Sequence, residues 1–152
     1  MFLSGMLTRG RTRVKANLVS PATRAVRWLA AAVWMGGIFY LSHQSTPAGR
    51  SGGTVESVAA HLTLYAGLAL VLFWALNAQH GRAQAPLWAR LTVAFALAVL
   101  YGVSDEIHQA FVPSRTASEA DIGLDALGSA AGLALALLST LLRRPGEPTP
   151  FP

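Results

Sequence analysis

The residues best suited to chemistry stand together in Ser104-Asp105-Glu106-Ile107-His108-Gln109, followed by Arg115, Asp121 and Asp125. Carboxylates and imidazoles can accept and release protons. An arginine can hold an anion through charge-assisted hydrogen bonds. The same groups can also simply bind a polar ligand. They lie between long apolar runs, where an ionisable side chain is costly unless it has a partner or water. Helical spacing sorts them into faces. Tyr101, Asp105 and His108 fall at i, i+4 and i+7, with Glu106 and Gln109 on an adjacent face. Asp121, Asp125, Gly128 and Gly132 make a second stripe, acids at one end and small residues beyond. Asp125 lies a turn deeper than Asp121 and needs a partner, for which Arg115 and His61 are the candidates.

The elements that carry these residues are apolar. The chain has 152 residues, 53% hydrophobic and 12% charged. A soluble domain is about 25% charged, so the composition is that of a membrane protein. There are no cysteines, which excludes disulfides, thiolate catalysis and cysteine-ligated zinc. The net charge is +5, but half of the basic residues (Arg9, Arg11, Arg13, Lys15, Arg24 and Arg27) precede or open the first apolar run. That arrangement reads as an orientation signal and a contact for anionic lipid. No aromatic-rich motif accompanies it, so nucleic acid is not an expected partner.

Four apolar runs follow one another: Ala25 to Leu41, Val58 to Leu76, Leu87 to Val103 and Ile122 to Leu142. The first spans about 25 Å as a helix, enough for a thin crossing. Its aromatics at both ends and the runs after it favour a retained span over a cleaved signal peptide. The third can stay helical to Phe111, since Pro113 disfavours α geometry at Val112. Ser118-Glu119-Ala120-Asp121 has the spacing of a helix N-cap with an acid three residues on. The expected fold is therefore an all-α integral membrane protein with four transmembrane helices. Residues 1–24 form a basic cytoplasmic segment, 25–144 the helical domain and 145–152 a disordered proline-rich tail. Basic residues in the N-terminus, at Arg82 and Arg90, and at Arg143-Arg144 place both termini in the cytoplasm. Ser42, His43 and Gln44, then His61 and Tyr65, then Asp105 to Asp125 would meet at the outer end.

The run Ser104-Asp-Glu-Ile-His-Gln-Ala-Phe-Val-Pro-Ser-Arg115, with Asp121, Asp125 and Gly128 after it, resembles the VanZ-like family. Ser42, Gln44 and His61 also fit, and the likeness covers about residues 28–142. Two positions depart from the family pattern. Ser114 stands where glycine is frequent, in the turn before Arg115, and Asp125 stands where asparagine is common. The family takes its name from a protein of low-level teicoplanin resistance. The resemblance implies a small, multi-pass protein of the bacterial inner (plasma) membrane.

Function is read from the polar cluster. The leading expectation is binding or shielding of a cell-envelope, lipid-linked or cell-wall precursor molecule, with membrane lipids as the other partner. Ser42, Gln44, Tyr65, Asp105, His108, Gln109, Arg115 and Asp121 would contact it. The alternative is an enzyme acting on a lipid-linked substrate. There Glu106 or Asp125 is the general base, His61 or His108 its partner, and Arg115 stabilises developing negative charge. His61, His108 and carboxylates have the ligand types for a divalent metal, but no compact motif such as His-Glu-x-x-His is present. No metal or cofactor is therefore expected.

Overall fold

The computed structural model describes residues 20–44, 54–77 and 85–142. It contains α1 (Pro21–Ser42), α2 (Val55–Asn77), α3 (Leu87–Gln109) and α4 (Glu119–Leu141), and no strand among the described residues. All four helices are long and apolar enough to cross a membrane. At 23 residues, each of the last three is about 34 Å long. The basic segment before Ser20, the loop residues 45–53 and 78–84, and the tail beyond Leu142 lie outside the described residues.

Local signals explain the helix ends. α1 starts ahead of its apolar run, with Pro21 in the first turn and the Ser20 hydroxyl accepting from Thr23 N at 3.1 Å. Proline suits that position because its missing N–H would be unpaired there anyway. α3 stops at Gln109, short of Phe111. The Phe111 and Val112 N–H groups bond back only three residues, to His108 and Gln109 carbonyls. That tighter turn spends the last carbonyls of α3 before the chain reaches Pro113. Arg115 N then donates to Val112 O at 3.1 Å, closing a turn in which Ser114 has φ 66°. Pro113 and Ser114 occupy the two central positions, the pattern of a type II turn.

The helices alternate in direction. α2 and α4 pack most closely; α3 leans on both. Their approach depends on glycine. A Cβ at Gly128 would lie 2.5 Å from the Leu62 carbonyl oxygen, and one at Gly132 2.5 Å from that of Ala66. Bare backbones therefore meet, as small residues permit in membrane helix pairs. α1 lies against α2 and α3 and makes no contact with α4 among the described residues. Trp34 of α1 fits over Gly67, and its indole N–H donates to Leu64 O at 3.0 Å. The interior holds Leu68, Ala69, Leu72, Phe73, Ala94, Ala98 and Leu133. Outside, Leu29, Val33, Leu100, Leu127 and Leu135 are more than half exposed. Apolar side chains on the outer surface of helices this long are what a hydrocarbon solvent requires.

The two ends of the bundle differ. At one, Arg27 of α1 donates to Trp74 O at 3.2 Å and stacks over the Trp74 ring. Arg90 of α3 bonds Asn77 Oδ1 and lies over Phe73. Two cations thus flank the C-terminal end of α2, where unpaired carbonyls carry partial negative charge. The other end gathers the acids and imidazoles.

Candidate functional site

That second end has two adjoining parts, which share His61. The first is a cavity of about 310 Å³ between α1, α2 and α3, lined by Ser42, His61, Tyr65, Asp105, Gln109 and Arg115 with apolar neighbours. α1 contributes Ser42, whose hydroxyl donates to Asp105 Oδ2 at 2.6 Å. Gln109 Nε2 donates to the same oxygen at 3.2 Å and to Glu106 Oε1 at 3.1 Å. Arg115 reaches over from the α3–α4 turn, with Nη2 3.5 Å from Leu41 O. Three buried atoms around this cavity have no partner among the described residues: Asp105 Oδ1, the Tyr65 hydroxyl and Arg115 Nε.

The second part lies between α2, α3 and α4. His61 Nδ1 is 2.8 Å from Asp125 Oδ1. Asp125 is fully buried, and its other oxygen has no partner among the described residues. Space for that carboxylate comes from Gly102, where a Cβ would lie 2.8 Å from Asp125 Oδ2 and 3.3 Å from the Tyr65 ring. Glu106, also buried, accepts the Ser118 N–H through Oε2 at 2.8 Å. Ser118 is the N-cap of α4, its hydroxyl accepting from Asp121 N at 3.3 Å. In an ordinary capping box the acid three residues on would take the cap's own N–H. Here Glu106 of α3 takes it, and the Asp121 carboxylate is left for other partners. His61, Glu106 and Asp121 each offer a ligand atom, all within 4.8 Å of one another.

Of the helical faces expected from spacing, Asp105 and Glu106 turn to different neighbours, while Gln109, expected beside Glu106, bonds both acids and lines the cavity with Asp105. Tyr101, Asp105 and His108 all turn to α1: Tyr101 OH donates to Met35 O at 2.6 Å, Asp105 meets Ser42, and His108 stacks on Phe39. Glu106 turns instead to the start of α4. Asp125 pairs with His61 and not with Arg115. His108 is not with the carboxylates. It faces His43, with Nδ1 of His43 3.3 Å from Nε2 of His108, outside the cavity lining. A metal grouping of His61 with His108 therefore has no counterpart in the structure. Gln44 is exposed, bonds Tyr40 O at 3.2 Å and does not line the cavity.

Three contributors, Gly102, Glu56 and Ser57, were not among the residues singled out from the sequence. Only the position of Asp125 across from Gly102 reveals the use of that glycine. Glu56 and Ser57 line the cavity from the first turn of α2, upstream of the apolar run on which the reading relied.

Four antiparallel helices of membrane-crossing length, polar at one end and cationic at the other, define a small multi-pass membrane protein. A family model for VanZ/LLP1 matches residues 27–142, and the chain belongs to that family. No curated protein and no solved structure matches it.

Proposed function

We propose that this VanZ/LLP1 protein lies in the bacterial plasma membrane with both termini cytoplasmic. Its cavity then faces outward and binds the polar part of a lipid-linked envelope molecule. The observation that carries this reading is the trio of atoms on Tyr65, Asp105 and Arg115 around one cavity that have no partner among the described residues. A buried polar atom left unpaired loses about 1–3 kcal/mol, so such atoms are normally met by water or a ligand. One cation, one carboxylate oxygen and one phenol suit a ligand with both an anionic group and hydroxyl or amide donors. Ser42 and Gln109 hold Asp105 in place for it. Sequestering a cell-wall precursor this way would connect the chain to the glycopeptide resistance for which the family is named.

A second reading has its own support. His61 is held by Asp125 through Nδ1, which leaves Nε2 for proton transfer, and Glu106 lies beside it. This arrangement suits acid/base chemistry on a lipid-linked substrate. One experiment separates the two readings. Purified protein in nanodiscs is incubated with lipid-linked cell-wall precursors, and both bound lipid and any product are followed by mass spectrometry. Arg115→Ala should lower precursor binding at least about tenfold, the loss of roughly one charge-assisted hydrogen bond. Binding that survives Arg115→Ala unchanged would remove the binding site from this cavity. Turnover by wild type that Glu106→Gln and His61→Ala abolish, with binding retained, would establish the enzyme instead.

A further inference from the structure

We propose that His61, Glu106 and Asp121 form a binding site for a divalent transition metal, with Asp125 orienting His61. The inference does not depend on what the neighbouring cavity binds. The three residues come from α2, α3 and α4, yet their ligand atoms lie within 4.8 Å of one another. Zinc bonds of about 2.0–2.2 Å put two ligands of a tetrahedral ion roughly 3.3 Å apart. The widest pair therefore has to close by no more than about 1.5 Å, within the reach of side-chain rotation. An imidazole with two carboxylates suits Zn²⁺ or Mn²⁺ better than a purely oxygen-bound cation such as Ca²⁺.

The surroundings supply what a cluster of acids alone would lack. The Nδ1 of His61 is engaged by Asp125 at 2.8 Å, so Nε2 is the nitrogen left to bind. A carboxylate behind the imidazole is the usual partner of a metal-bound histidine, fixing its tautomer and direction. Asp125 is wholly buried and held in the gap at Gly102. On the other side, Glu106 is fixed by Ser118 N and Gln109 Nε2, and each of its oxygens keeps a second lone pair. Asp121 is spared the capping bond that its position would otherwise give it. Three protein ligands leave at least one position open. His61 also lines the cavity, so the metal would border the ligand space.

The test uses the full-length protein, purified in nanodiscs, stripped with EDTA and titrated with Zn²⁺ and Mn²⁺. Bound metal is counted by elemental mass spectrometry and affinity measured by calorimetry. One ion per chain is expected. Asp121→Asn and Glu106→Gln should each weaken binding at least about 100-fold, and Asp125→Asn about 10- to 100-fold. The double variant His43→Ala/His108→Ala removes the other imidazole pair and should bind as wild type does. Melting of each metal-free variant identifies misfolding; Asp121, half-exposed at a helix start, supplies the variant least exposed to that problem. Failure of wild type to bind either metal stoichiometrically would overturn the proposal. So would binding that survives Asp121→Asn but disappears with His43 and His108.

Discussion

Ser114 and Asp125 each have a physical reading. Ser114 has φ 66°, a left-handed conformation in which a Cβ crowds the following carbonyl at about 1–2 kcal/mol. Glycine pays no such penalty. Ser114→Gly should therefore raise stability by about 1 kcal/mol, measured as a higher midpoint in detergent unfolding, while Ser114→Ala should not. The family resemblance singled out Ser114 but could not supply the torsion angle. Asp125 was legible as a carboxylate needing a partner, because its depth in an apolar helix follows from counting residues. Which partner it takes was not legible. Topology brings Arg115 and His61 to the same end of the bundle, and only the packing of α2 against α4 decides for His61.

Among the elements, α2 and α4 determine the geometry of the site, since their glycine contact sets how near His61 comes to Asp125. Gly128→Ala or Gly132→Ala drives a methyl group against a backbone carbonyl and should destabilise the bundle by about 1–3 kcal/mol. Gly123→Ala is the matched control: nothing lies within 4 Å of its added carbon, so that variant should be neutral or slightly more stable, with thermal melting distinguishing them. The four helices were readable from the runs of apolar residues because lipid demands an uninterrupted apolar exterior. Their ends were less so. α3 stops before Phe111 because its last N–H groups shift to shorter bonds, a choice that hydropathy does not record. The cap at Ser118 was readable, but its exchange of partners with Glu106 was not. That exchange joins residues 12 apart in the chain through a turn whose path had to be known first.

For the whole molecule, the basic residues predict one orientation and the chain offers a clean way to check it. With no native cysteine, Ala117→Cys in the exposed α3–α4 turn is the sole thiol. It should react with an impermeant maleimide on intact cells; labelling only after permeabilisation would place the site at the cytoplasmic face. The meeting of all four helices' polar residues at one end was already implied by four crossings of alternating direction. The division of that end into a cavity and a separate trio was not, because it depends on which side of α3 each acid faces. The bonds from Ser42 to Asp105 and from His61 to Asp125 join residues 63 and 64 positions apart, whereas Glu106 and Ser118 are near neighbours. Contacts between distant parts of the chain form after local ones, and synthesis delivers α4 last. The α3–α4 hairpin can therefore close by itself, but the site comes into existence only when the final helix arrives. A chain interrupted before α4 would leave His61 without Asp125 in the bilayer, a chemically conspicuous mark of unfinished assembly.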